Sequence, residues 1–149
     1  MRRTLAALTL LCASGLPGAG AQPGMDAPPN LAGLWFFEAD LNTACTFTGQ
    51  ARLIPTRDPL RFDCEMTAEQ VCRSVDVHYV VEQSCEVEIA DDTVTVFSTV
   101  QSFLRGEPTA NYLPDNFQLL IRDESSLDGY LIGTGGYPAR WRRAEGAIS

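Results

Sequence analysis

The reactive side chains of this 149-residue sequence are few: five cysteines, one histidine and several clustered carboxylates. Cys45, Cys64, Cys72 and Cys85 are separated by 18, 7 and 12 residues. A structural zinc site would normally space its cysteines about two to four residues apart. His78 is the single histidine, so neither a Cys/His metal cage nor a thiolate activated by a neighbouring base is expected. An even number of cysteines suggests two disulfides instead, and four cysteines allow three pairings. The expected set is Cys64 with Cys72 and Cys45 with Cys85. The first closes a short loop around "EMTAEQV", where Thr67 would cap a single helical turn with Gln70 three residues later. The second joins two long strands across the core. Loop entropy makes the long bridge worth roughly 4 kcal/mol and the short one roughly 2.5 kcal/mol.

Glu82, Glu86 and Glu88 share one strand face, with Asp91 and Asp92 at the following turn. Side chains two apart on a strand stand about 6–7 Å apart. They read as the solvated face of a sheet, with a cation site or a patch for a basic partner as the alternative. His78 falls on that same polar face. "GTGGY" (133–137) lacks the strand–helix context of a phosphate loop, and no serine stands in a nucleophile motif. A non-catalytic protein without cofactor or metal is therefore expected.

The elements that must position these groups begin after a leader. "MRRTLAALTLLCASGLPGAGA" (1–21) has two arginines, a short apolar run containing Cys12, and an Ala-Gly-Ala end, the pattern of a secretory signal peptide. The run is too short to span a bilayer. Secretion, most simply to a bacterial periplasm, would supply the oxidising environment the cysteines need. Residues 22–30 ("QPGMDAPPN") are rich in proline and read as a mobile arm, and residues 31–149 as one domain. The chain carries 19 acidic residues against 11 basic ones, a formal charge of −8. That balance repels phosphate backbones and argues against nucleic acid as a partner. No stretch after the leader is long and apolar enough for a transmembrane helix.

The domain reads as strand after strand. "LRFDCEM" (60–66) alternates cleanly. "VDVHYVVEQSCEVEI" (75–89) puts Val77, Tyr79, Val81, Cys85, Val87 and Ile89 on one side. "GLWFFEA" (33–39), "ACTFTGQARLI" (44–54, with Gly49 at a bend or bulge), "VTVFSTVQSFL" (94–104), "FQLLIRD" (117–123), "GYLIGTG" (129–135) and "PARWRR" (138–143) complete about eight strands. Turns fall at "ADDT", "ESSLD" and "GGY", and a long loop at "RGEPTANYLPDN". Successive hairpins of this kind predict an all-β, antiparallel up-and-down barrel stapled by disulfides, with a β-sandwich as the alternative. In "YLPDNFQL", Tyr112, Leu113 and Phe117 flank a Pro-Asp-Asn turn. They serve either to pin the loop to the barrel or to form a lid over its mouth.

"NLAGLWFF" supplies a resemblance. Gly33 and Trp35 form a G-x-W at the start of the first strand, which resembles the lipocalin and calycin signature. That resemblance implies an arginine of the last strand, Arg140 or Arg142, packed over the indole as the barrel anchor. "LAG-x-W" followed by Cys45 is also similar to the bacterial metalloprotease inhibitors of the serralysin-inhibitor family. These are periplasmic eight-stranded barrels whose N-terminal arm enters the protease cleft. The likeness covers Leu31 to Cys45. The second cysteine pair and "YLPDNFQL" depart from that family's pattern. Two functions follow as expectations. One is a binding module of lipocalin type for a small apolar ligand. The other is a protease inhibitor acting through the arm at Gln22–Leu31.

Overall fold

A computed structural model of the chain describes residues 27–109 and 111–146. The leader with Cys12, and the arm before Ala27, lie outside the described residues. Eight strands follow in order: β1 Gly33–Asn42, β2 Cys45–Pro55, β3 Arg61–Cys72, β4 Val77–Ala90, β5 Thr93–Arg105, β6 Asn116–Asp123, β7 Ser126–Ile132 and β8 Gly136–Arg143. Each pairs antiparallel with the next, and β8 pairs back with β1, so the sheet closes into the expected up-and-down barrel. No helix among the described residues is long and apolar enough to cross a membrane.

Period-2 alternation decides which side of each strand faces in. Trp35, Phe37 and Ala39 of β1 are buried between exposed Phe36 and Glu38. Phe62, Cys64, Met66 and Ala68 do the same on β3. In the middle of the barrel the ring of Phe37 lies 5.2 Å from Trp141, 5.4 Å from Phe117 and 5.8 Å from Phe47, centroid to centroid. A Cβ at Gly49 would come within 2.2 Å of the Phe37 ring and 2.3 Å of the Thr67 carbonyl, so only glycine admits this packing. The β1–β2 ladder runs through Gly49 without a bulge; its register shift lies between Ala39 and Asn42.

Three further expectations are corrected. First, the polar stretch after Cys64 is not a helical turn. Met66 and Ala68 point inward while Thr67 pairs across the sheet with Gln50 and Glu82, so β3 continues to Cys72. The helical turn falls later, a 3-10 turn at Arg73–Val75.

Second, the disulfides are Cys45–Cys72 and Cys64–Cys85, not the expected pairs. Cys64 and Cys72 lie on one extended strand, about 26 Å apart at strand rise, and no disulfide spans that distance. Cys45 and Cys85 sit on β2 and β4, with β3 between them. Each observed bridge joins residues directly opposite one another in neighbouring strands, with Cα–Cα distances of 4.1 and 4.6 Å.

Third, the arginine over Trp35 is Arg143. Its guanidinium carbon lies 4.7 Å from the indole centroid, and it donates to the carbonyls of Asn30, Ala32 and Glu124. Arg140 and Arg142 point outward, Arg140 towards Glu38 and Asp40 at 3.5 and 3.6 Å and Arg142 towards Asp128 at 2.8 Å. Inward parity on β8 belongs to Ala139 and Trp141, and Arg143 lies directly opposite Trp35. The indole Nε1 donates to the Leu31 carbonyl at 2.9 Å, and the Leu31 side chain is fully buried. Leu31 is thus part of the barrel floor, and an arm can begin only before it. Gly33 enters β1 with φ of 120°, a conformation closed to residues with a Cβ.

The floor arrangement predicts a graded response in urea unfolding. Trp35→Ala should lose about 3–5 kcal/mol, and Arg143→Ala about 1.5–3 kcal/mol for its charged hydrogen bonds. Arg140→Ala, on the exposed face, should lose less than about 1 kcal/mol. Equal costs at Arg140 and Arg143 would contradict the placement of the clamp.

Candidate functional site

At the end opposite the Trp35 floor the barrel walls are unequal. β2 to β5 run for 11 to 14 residues, whereas β6 to β8 run for only 7 or 8. β5 pairs with β6 only over Thr93–Val96, against Phe117–Leu120. The upper part of β5 therefore rises beyond the shorter wall, and residues 111–115 lead down to the start of β6.

That descent is held by polar contacts at its lower end. Ser98 donates its backbone N–H to Asn116 Oδ1 and its hydroxyl to the Asp115 carbonyl, both at 2.7 Å. The Asp115 backbone N–H donates to Gln83 Oε1 at 3.0 Å, and Gln83 Nε2 donates back to Asp115 Oδ2. The Tyr112 hydroxyl donates to the same oxygen at 2.8 Å. Gln83 and Asp115 are the two buried polar side chains among the described residues. Above them Tyr112, Tyr79 and Phe103 pack edge to face, with centroids 5.4–5.9 Å apart. Such aromatic contacts fix the loop's height on the wall.

The loop and the barrel rim enclose a cleft of about 330 Å³. Tyr79, Tyr112, Tyr137, Phe47 and Leu131 line it, together with Asp115, Thr134 and Asn111. Of the three lid residues expected from sequence, Tyr112 and Leu113 are on the loop and line the cleft. Phe117 does not; it is the second residue of β6, is 1% exposed and packs on Phe37 and Trp141.

The remaining candidates lie elsewhere. His78 Nε2 is 2.6 Å from Glu69 Oε1 on the outer face, Glu82 accepts from the Ser102 hydroxyl, and Glu88 pairs with Arg61. Among the described residues no three His, Cys, Asp or Glu side chains converge in a metal-binding group. The expected solvated face is what the acidic strand presents, with Glu82, Glu86 and Glu88 directed away from the core. Sequence reading missed Gln83, although its position between inward Val81 and Cys85 marks it as a polar residue at a core position. Asp115 was read only as a turn residue.

Burial is the largest influence on the Asp115 carboxyl and raises its pKa to about 6, against the opposing pull of the Tyr112 and Gln83 donors. Burial, then the Asp115 charge, pushes the Tyr112 hydroxyl up as well, so it remains a donor. No family model, curated protein or solved structure matches the chain.

Because the folded-state pKa of Asp115 exceeds its ordinary value of 3.8, the folded protein holds this proton more tightly than the unfolded chain. Its contribution to stability is greatest below about pH 4 and declines as pH rises through about 6. The full change is on the order of 2–3 kcal/mol. Asp115→Asn keeps the shape and removes the ionisation. Urea titrations between these limits should therefore show a fall for the parent that is absent in the variant. Parallel profiles would exclude a buried Asp115 carboxyl.

Proposed function

We propose that this protein is a non-catalytic binding barrel of the periplasm or extracellular space that takes a small, largely apolar ligand at its mouth. The observation that carries this reading is the cleft under the 106–115 loop, walled by tyrosines and leucine at the open end of an otherwise filled barrel. Its volume sits at the low end of the roughly 300–1,000 Å³ typical of ligand sites. The middle of the barrel is occupied by Phe37, Phe47, Phe117 and Trp141, so the ligand sits at the rim and not on the barrel axis. The two disulfides suit an oxidising compartment, which fits the leader read from residues 1–21. The calycin-like G-x-W agrees with this assignment through the floor built on Trp35.

A second reading, inhibition of a secreted metalloprotease by the N-terminal arm, draws on one feature. Arg143 grips the carbonyls of Asn30 and Ala32, so any segment before Asn30 leaves the barrel from a fixed point. An arm that inserts into a cleft needs such an anchor.

The two readings separate experimentally. Titration with phenylbutanol, followed by amide chemical shifts, should move Asn111, Gly133 and Thr134 saturably. Thr134→Trp, on an exposed turn at the cleft edge, should weaken that binding by about tenfold or more and leave the fold unchanged. Deletion of residues 22–29 should not affect it. Shifts scattered over the outer face, or indifference to Thr134→Trp, would reject the mouth. Inhibition of a secreted zinc protease that disappears with residues 22–29 would establish the arm instead.

A further inference from the structure

Packing of the loop does not require a carboxylate at position 115, since an amide or a hydroxyl could accept the same hydrogen bonds. The Asp115 side chain is nonetheless almost fully buried, at 6% exposure. Both of its side-chain donors, Tyr112 and Gln83, go to Oδ2. Oδ1 has no hydrogen-bond partner among the described residues. It is not sealed in either, because Trp141 Nε1 is the only fully enclosed side-chain nitrogen or oxygen there without a partner. Asp115 lines the cleft, and Oδ1 is the carboxylate oxygen that these two donors leave free for a ligand there.

The surroundings give that oxygen no counter-charge. The chain contains no lysine, and neither an arginine nor the histidine lines the cleft. Apart from tyrosines, Asp115 is its single ionisable lining group. A buried carboxylate without a cation is costly, and a partner that brings the opposite charge recovers much of that cost. Tyrosine rings nearby favour the same sign of ligand, because the quadrupole of an aromatic ring attracts cations. Tyr79, Tyr112 and Tyr137 all line the cleft.

We propose that the ligand of the mouth carries a primary ammonium, which sits against Asp115 Oδ1 while its apolar part lies among Tyr79, Tyr137 and Leu131. This inference rests on the mouth being the binding site and names the chemistry that site selects. The ammonium can belong to a free small amine or to a lysine side chain presented by a protein. Carboxylate ligands are disfavoured by like charge.

The test uses the full chain with its disulfides intact and four probes of similar reach: phenylbutylammonium, phenylbutanol, phenylbutyrate and Nα-acetyl-lysine methylamide. Binding is followed by the amide shifts of Asn111, Gly133 and Thr134. Phenylbutylammonium should bind about tenfold tighter than phenylbutanol, and phenylbutyrate about tenfold weaker than phenylbutanol. Asp115→Asn should bring the ammonium and the alcohol to within about twofold of each other. The comparison among probes on the unaltered protein decides the matter even if that variant folds poorly. Lysine methylamide binding as tightly as phenylbutylammonium assigns the cation to a protein side chain; binding of the arylalkylamine alone assigns it to a free amine. Equal affinity for ammonium and alcohol overturns cation selection while leaving the mouth as a binding site, provided Thr134→Trp still blocks the alcohol. Absence of shifts at the three amides with every probe overturns both.

Discussion

The five residue pairs between Trp35–Ala39 of β1 and Ala139–Arg143 of β8 are the constraint on which the rest of the molecule depends. Without them the sheet would have two open edges, each a row of unpaired backbone donors and acceptors. Once they form, inside and outside are fixed for every strand, because a one-residue slip would turn the aromatic core out to water. The same pairing sets Arg143 opposite Trp35, so the guanidinium lies over the indole and within reach of the carbonyls at residues 30 and 32. The floor is a product of closure and not a separate device.

Closure also makes the mouth. A barrel whose strands were equal in length would end in a ring of tight turns. Here three short strands complete a circle begun by taller ones, and the chain must cover the height difference in the ten residues between β5 and β6. Polar groups hold that crossing because it has no ladder to join. Gln83 exchanges two hydrogen bonds with Asp115, one to its backbone and one to its side chain. The pair behaves like a fragment of strand pairing made with side chains. The result is a loop fixed at its foot by hydrogen bonds and at its crest by tyrosine and phenylalanine rings, with a cleft beneath.

Strand existence was legible in the sequence because alternation is a local signal. β4 could be read from Val81, Cys85, Val87 and Ile89 without knowledge of any partner, and eight such segments in successive hairpins suggested a closed barrel with a sandwich as the alternative. What depends on pairing across the sheet was not legible. The cysteine pairs follow from register, which a count of loop lengths does not contain. Thr67 and Gln70 matched a helix-capping spacing, yet Met66 and Ala68 already carried the strand pattern that prevailed. Leu127 was placed in a turn, but its burial draws it into β7. Parity from Trp141 would have selected Arg143 over its neighbours. The Gln83–Asp115 contact joins residues 32 apart, and neither residue announces the other. The site was thus half visible: Tyr112 and Leu113 from their loop, Gln83 only as a polar residue at an inward position, and the burial of Asp115 not at all.

The order of the cysteines along the chain bears on how the molecule can mature. Among the four cysteines of the described residues the two bridges interleave, first with third and second with fourth. An oxidant that met the chain as it emerged from its N-terminal end would join Cys45 to Cys64 first, because they appear together, and then Cys72 to Cys85. That product is fully oxidised and wrong. Reaching the native set needs one of two routes: β2, β3 and β4 assemble before their sulfurs react, or a thiol attacks the first bridges and reshuffles them. Under such an oxidant, strand pairing must outrun oxidation or an isomerase must correct its first products.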